Sequence, residues 1–172
     1  FQSCKRQYYF EKYAKYDLDN NLFKINSLKK LTTVPLEIGD TSHKLIKTLL
    51  DRLKRSAEKI NVERFHDYAR REAFTLFQSR TFEDVYYGSR EEIDFETEIF
   101  EPVWKGMENL LRSDRMQWLF EEALVSKDDW IIEPPGYGEF RIDSLKAYCK
   151  VDFLFPIGDE LHIIDWKTGK QD

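Results

Sequence analysis

The sequence predicts an α/β fold in which helices flank a sheet and a helical insertion separates two parts of the core. Three observations predict it. Residues 40–60 and 62–125 carry apolar stripes at helical spacing. From about residue 130 onward, short β-branched and aromatic runs alternate with Gly and Pro turns. The chain has 172 residues, 41% of them hydrophobic, which is enough for one domain with a real core. That domain reads as an N-terminal helical part (1–60), a helical insertion (61–126) and a β-core (127–172).

Aromatic and basic residues interleave in the first sixteen positions. Tyr9, Tyr13 and Tyr16 follow helical spacing, so the expectation is an amphipathic helix whose rings pack on the body of the domain. Arg6 is the better candidate there for a nucleic-acid contact, with Lys150 a second. Residues 20–38 read as loop or short irregular structure. Asp40, Thr41 and Ser42 then offer N-caps for a helix through about Ile60, with Leu45, Ile46, Leu49, Leu50 and Leu53 on its apolar stripe. His43 falls at the edge of that stripe and leans towards whatever the helix packs on. The lysines and arginines of this helix fit either a phosphate-tracking face or a solvated one.

In the insertion, Val62, Phe65, Ala69, Ala73, Leu76 and Phe77 form one helical stripe. Pro102 suits the first turn of a second helix, and Ser113 or Asp114 caps a third. The acidic run Asp94, Glu96, Glu98 and Glu101 reads as a solvated connection. Ile131-Ile132 is followed by the turn Pro134-Pro-Gly-Tyr-Gly138.

The most informative stretch runs from Tyr148 to Gly169. Two apolar runs flank Gly158-Asp159, the signature of a hairpin with a two-residue type II′ turn. With the turn there, Asp152 lies directly across from Asp165, Cβ atoms roughly 5 Å apart. Lys167, two residues on, shares the side of Asp165. Val151, Phe153, Phe155, Ile164 and Trp166 line one face and Leu154, Leu161 and Ile163 the other, so the hairpin is expected to be buried on both. Facing carboxylates repel, and a divalent cation between them relieves the repulsion. A lysine beside that cation suits a phosphate or an attacking water, so the pattern is that of a metal-dependent phosphodiesterase. An Asp/Glu-x-Lys tripeptide arises about once by chance in such a chain; the weight lies in the register of Asp152 and in the apolar strands. The bland alternative is a cross-strand salt bridge at a sheet end.

Val151-Asp-Phe-Leu-Phe155 and Ile163-Ile-Asp-Trp-Lys-Thr-Gly-Lys170 resemble the nuclease core of the PD-(D/E)XK superfamily, specifically its RecB-like branch. Gly39-Asp-Thr-Ser-His43 is similar to that branch's Gly-x-x-x-His helix start, and Ser3-Cys-Lys-Arg-Gln-Tyr-Tyr-Phe10 to its N-terminal Cys-x-Arg-x-aromatic signature. The pieces stand in the family order from end to end of the chain. The resemblance implies a restriction-endonuclease-like core with a mixed β-sheet and a Mg²⁺- or Mn²⁺-dependent DNA nuclease, an exonuclease of repair, recombination or defence. Asp152 and Asp165 would be metal-binding carboxylates, His43 a further ligand, and the Trp166 carbonyl would complete the shell. Lys167 would position the nucleophilic water, and Glu133 is an acidic accessory. The resemblance also implies DNA as the partner, with a helicase domain or subunit as a further expectation. The family core continues after the Asp-x-Lys strand, so a chain ending at Asp172 is expected to be a fragment lacking the C-terminal part of the core, and inactivity of that piece is open. The alternative is a catalytically inactive nucleic-acid-binding module or a structural domain of a larger helicase–nuclease.

Two cysteines, Cys4 and Cys149, rule out a disulfide framework and are too few for the four ligands of an iron–sulfur cluster, so Cys4 is expected to be a small buried thiol. No apolar run reaches the length of a membrane span, and the expected location is cytoplasmic. A net charge of −5 is not that of a non-specific DNA binder, although carboxylates that hold a metal contribute to it. No Gly-rich phosphate loop occurs, so ATP binding is not expected.

Overall fold

The computed structural model describes residues 4–16, 21–56, 58–134, 138–142 and 145–168. The chain opens with helix α1 (Lys5–Lys12), a 3₁₀ turn at Ala14–Tyr16, α2 (Leu22–Leu28) and strand β1 (Leu31–Thr32). The long helix α3 (Val34–Arg55) and α4 (Val62–Gln78) follow, then β2 (Thr81–Phe82) and the single turn α5 (Glu83–Tyr86). A π-helical segment at Phe95–Phe100 leads into α6 (Glu101–Arg112) and α7 (Asp114–Glu121), and a kinked 3₁₀ segment spans Ala123–Asp129. Five strands close the chain: β3 (Ile131–Ile132), β4 (Gly138–Ile142), β5 (Leu145–Cys149), β6 (Phe153–Ile157) and β7 (Glu160–Ile164). The α/β class predicted by sequence stands. Among the described residues the strands form three small sheets, not one mixed sheet: parallel β1–β2, antiparallel β3–β6–β7, and the β4–β5 hairpin.

The elements fall into two compact units, Phe1–Thr33 with Ser79–Ile93, and Val34–Gln78 with Asp94–Asp172. In the first, Asn21 caps α2 by accepting the Lys24 N–H at 3.0 Å. Three expectations change there. Residues 22–32 hold a helix and a strand where loop was expected. Tyr13 and Tyr16 are 52% and 73% exposed and only Ala14 of that turn is buried, because the chain leaves α-geometry after Lys12 and the three tyrosines no longer share a stripe. Cys4, expected to be buried, is exposed.

The second unit is built around α3. Leu45, Ile46, Leu49, Leu50 and Leu53 are all buried on one face, against α4, α6 and the π-helical segment. The helix starts six residues before the expected caps. Pro35 sits in its first turn, where a missing N–H is harmless, and Thr41 and Ser42 are buried inside the helix instead of capping it. It also ends at Arg55, short of Ile60. In the insertion, α4 buries Phe65, Ala69 and Ala73, α6 takes Pro102 in its first turn, and Ser113 caps α7 by accepting the Met116 N–H at 3.2 Å. The acidic run keeps Asp94 and Glu101 exposed to solvent but is a capped helical segment, not a loose connection. Asp94 accepts from the Thr97 hydroxyl and N–H at 2.6 and 2.8 Å, which holds its carboxyl below the usual range, and Ile99 and Phe100 are buried.

Phe153 and Phe155 of β6 are fully buried, with Trp130 packed edge-on to Phe153. The register of β6–β7 is the expected one: Phe153 pairs with Ile164 and Ile157 with Glu160. Gly158 has φ +56° while Asp159 is not among the positive-φ residues, the combination a type II′ turn requires. The opposite face of this sheet is open, contrary to expectation: Leu161 and Ile163 are 62% and 61% exposed.

Candidate active site

The site begins with how α3 is held. His43, Lys47 and Lys54 lie within about 40° of one another around the helix at about 100° per residue. Lys54 Nζ donates to the Trp130 carbonyl at 2.7 Å and Lys47 Nζ to the Ile132 carbonyl at 3.3 Å. These two bonds tie the His43 stripe to the backbone of β3. Beyond Ile132, which pairs with Phe153, the Glu133 N–H donates to the Asp152 carbonyl at 2.9 Å. Glu133 thus comes to lie beside Asp152, and its φ of +37° is rarely adopted by a residue with a Cβ. Strain of that kind is on the order of 1 kcal/mol and concentrates at functional sites.

His43, Glu133 and Asp152 converge, each half-buried, with ligand atoms all within 4.8 Å of one another. His43 Nδ1 lies 3.6 Å from Asp152 Oδ2 and 3.9 Å from Glu133 Oε1. Its Nε2 is 3.1 Å from the Trp166 carbonyl oxygen. With the proton on Nε2, the ring donates to that carbonyl and turns the Nδ1 lone pair to the two carboxylates. A lone pair facing two anionic oxygens is repulsive until a proton or a cation stands between them. One imidazole and two carboxylates make a donor set that suits a divalent ion. The backbone carbonyl behind the imidazole is the usual orienting partner of a metal-bound histidine. The residues present therefore fit a metal ion. Trp166 serves the cluster through its backbone twice, since its N–H also donates to Asp152 Oδ2 at 2.9 Å.

Asp165 and Lys167 stand at the edge of this cluster. Lys167 Nζ bonds Asp165 Oδ2 at 2.6 Å, with side chains 79% and 56% exposed. That bond holds the Asp165 carboxyl below its ordinary range, against a smaller opposing effect of desolvation; His43 and Asp152 act with Lys167. The same bond raises Lys167, an exposed ammonium that is already cationic at neutral pH. A cleft of about 460 Å³ opens beside Lys167 between Ile46 of α3 and Gly106 and Met107 of α6.

A protein-family model described as the PD-(D/E)XK nuclease superfamily matches residues 1–172. The chain belongs to that superfamily. No curated protein and no solved structure matches it. PD-(D/E)XK enzymes are metal-dependent nucleases, so the substrate class is nucleic acid and the cofactor class a divalent metal. No helix among the described residues is long and apolar enough to cross a membrane.

Of the residues singled out by sequence, the structure brings His43, Glu133 and Asp152 together, with Asp165, Trp166 and Lys167 alongside. Glu133, the accessory, falls inside the cluster, whereas Asp165 is engaged by Lys167. The Trp166 carbonyl, expected in the metal shell, is taken by His43 Nε2. Lys150 is exposed near Asp152, and Arg6 lies in the first unit with its guanidinium 5.7 Å from the centre of the Phe10 ring. The side chain of Cys149 and residues Gly169 and Lys170 lie outside the described residues. Sequence reasoning missed Lys47 and Lys54 as anchors of α3. Their shared stripe with His43 was the available signal.

Proposed function

We propose that this chain is a Mg²⁺- or Mn²⁺-dependent deoxyribonuclease of the RecB-like branch, an exonuclease read as one nuclease domain. The observation that carries it is the meeting of His43, Glu133 and Asp152, from three separate segments, beside the Asp165–Lys167 pair. The branch assignment rests on the Gly39–His43 and Cys4-x-Arg6 motifs, and with it come a role in DNA repair, recombination or defence, a helicase partner and a cytoplasmic setting.

His43, Asp152 and Glu133 would hold the ion, with Asp165 close enough to join them. A divalent ion bound there supplies Lewis acidity and lowers the pKa of a bound water. The imidazole in the set inclines it towards Mn²⁺ over Mg²⁺. Paired with Asp165, Lys167 acts as a fixed cation and not as a general base. It holds the attacking water and meets the charge that grows on the phosphoryl oxygens. The Trp166 backbone orients both His43 and Asp152.

The test is Mn²⁺ calorimetry combined with cleavage of an end-labelled DNA. Wild type is expected to bind Mn²⁺ and cut. Asp152→Asn/Asp165→Asn is expected to lose both. Lys167→Ala is expected to keep the metal and to slow cleavage by roughly 100-fold or more, the size of effect seen when a transition-state charge partner is removed. Metal binding without cutting by wild type would leave a non-catalytic nucleic-acid-binding module. Unchanged cleavage in both variants would end the nuclease assignment to these residues.

A further inference from the structure

A second concave site lies on the other side of α3. Where α3 ends and α4 begins, a cleft of about 450 Å³ is lined by Arg52, Arg55, Lys59 and Arg64. That volume is within the roughly 300–1,000 Å³ of small-molecule sites. Glu58 is the one carboxylate among the residues lining it. At about 100° per residue, Arg52 and Arg55 stand about 180° and 120° around the helix from His43, so this cleft is distinct from the metal cluster.

The four cations are not equivalent. Arg52 is structural: its two terminal nitrogens donate to the carbonyls of Glu58 and Lys59 at 3.1 and 3.4 Å and fold the connection back over the helix end. Arg55 uses only Nε, on the Asp51 carbonyl at 3.1 Å. Among the described residues its terminal nitrogens, the Arg64 guanidinium and the Lys59 ammonium have no hydrogen-bond or ion-pair partner. Three solvent-exposed cations without a protein partner among the described residues line one hollow, against the single carboxylate of Glu58, in a chain whose net charge is −5. Guanidinium forks match phosphate oxygens two at a time. The apolar part of the lining is Leu49, Ile60, the buried Phe65 and Tyr68, the last two with stacked rings whose centroids are 6.4 Å apart. An aromatic wall beside phosphate-matching cations suits a nucleotide better than a bare inorganic anion.

We infer that the cleft between α3 and α4 binds the phosphate of a nucleotide unit, with Arg55 and Arg64 as its direct ligands and Lys59 as a neighbouring charge. The choice of a nucleic acid as the source of that phosphate rests on the nuclease reading above; the chemistry of the cleft does not.

The experiment is equilibrium binding of a fluorescein-labelled single-stranded oligonucleotide in EDTA, so that neither metal nor cleavage enters. Wild type, Arg55→Gln/Arg64→Gln and the control Lys105→Gln/Arg112→Gln on α6 are compared across salt concentrations, with circular dichroism to confirm the fold. The cleft variant is expected to bind roughly tenfold more weakly at low salt. The slope of log affinity against log salt should become shallower by about 1.4, near 0.7 for each single-strand phosphate that is no longer neutralised. If oligonucleotide binding is unchanged but calorimetric binding of a nucleoside monophosphate disappears in the cleft variant, the site stands with a free nucleotide as its ligand. Equal weakening in the cleft and control variants, or none in either assay, overturns it. Failure here leaves the metal-site assignment untouched, since that is read by Mn²⁺ binding and cleavage.

Discussion

At the scale of single residues, Asp165 and Lys167 set each other's charge. The Asp165 carboxyl is depressed below its ordinary 3.8, so its share of stability is present above that pH and is lost as pH falls through the lower folded value. Lys167 is raised above 10.5, so its share is present below that pH and is lost as pH rises through the higher folded value. The pair is therefore intact across the whole window from 3.8 to 10.5. Both groups are largely exposed, so what they give the chain is a fixed cation at the site and little stability. Lys167→Met is expected to let the Asp165 carboxyl titrate upward, towards its ordinary value. Carbon-detected NMR of that carboxyl reads the shift, and an unmoved titration would mean that the pair does not form in solution.

At the scale of elements, the β6–β7 hairpin carries the chemistry because its turn fixes its register. A slip of one residue would send Asp152 and Asp165 to opposite faces. Gly158 holds that register at φ +56°, with open space where a Cβ would stand. The only penalty for a side chain there is conformational. Gly158→Ala is accordingly expected to lower stability by about 1–2 kcal/mol in urea denaturation, with Gly158→Asn losing less. Equal stability of all three proteins would show that the turn adopts another conformation. On α3, the same stripe that presents His43 presents Lys47 to the Ile132 carbonyl of β3 and Lys54 to the Trp130 carbonyl just before it. One helix face thus does both the anchoring and the presenting.

At the scale of the whole molecule, the two units carry different loads. The metal cluster and the cationic cleft both belong to the unit built around α3. The aromatic cluster of that unit reaches to the residue next to the site: Phe153 is fully buried between Trp130 and Phe155 and adjoins Asp152. Phe153→Ala is expected to cost about 3–5 kcal/mol in chemical denaturation and to weaken Mn²⁺ binding as Asp152 loses its support. A cost under about 1 kcal/mol would show that the cluster is not packed as described.

Whatever is local was legible in the chain of residues. The hairpin, its turn and its register up to Phe153 and Ile164, one step short of Asp152 and Asp165, follow from a Gly-Asp turn between two alternating runs, because pairing in a tight hairpin leaves no freedom once the turn is set. The apolar stripe of α3, the cap at Ser113 and Pro102 in the first turn of α6 were legible for the same reason. The superfamily was legible too, since its motifs are short segments. What depends on distant segments meeting was decided by the folded molecule. Glu133 enters the cluster because its N–H extends the β3–β6 ladder to Asp152. His43 reaches both carboxylates because two lysines tie α3 to β3. The start of α3, the π-helical turn at Phe95–Phe100 and the open face at Leu161 and Ile163 were misread from sequence. Local pattern states which residues are apolar, but burial is granted by neighbours that lie far along the chain.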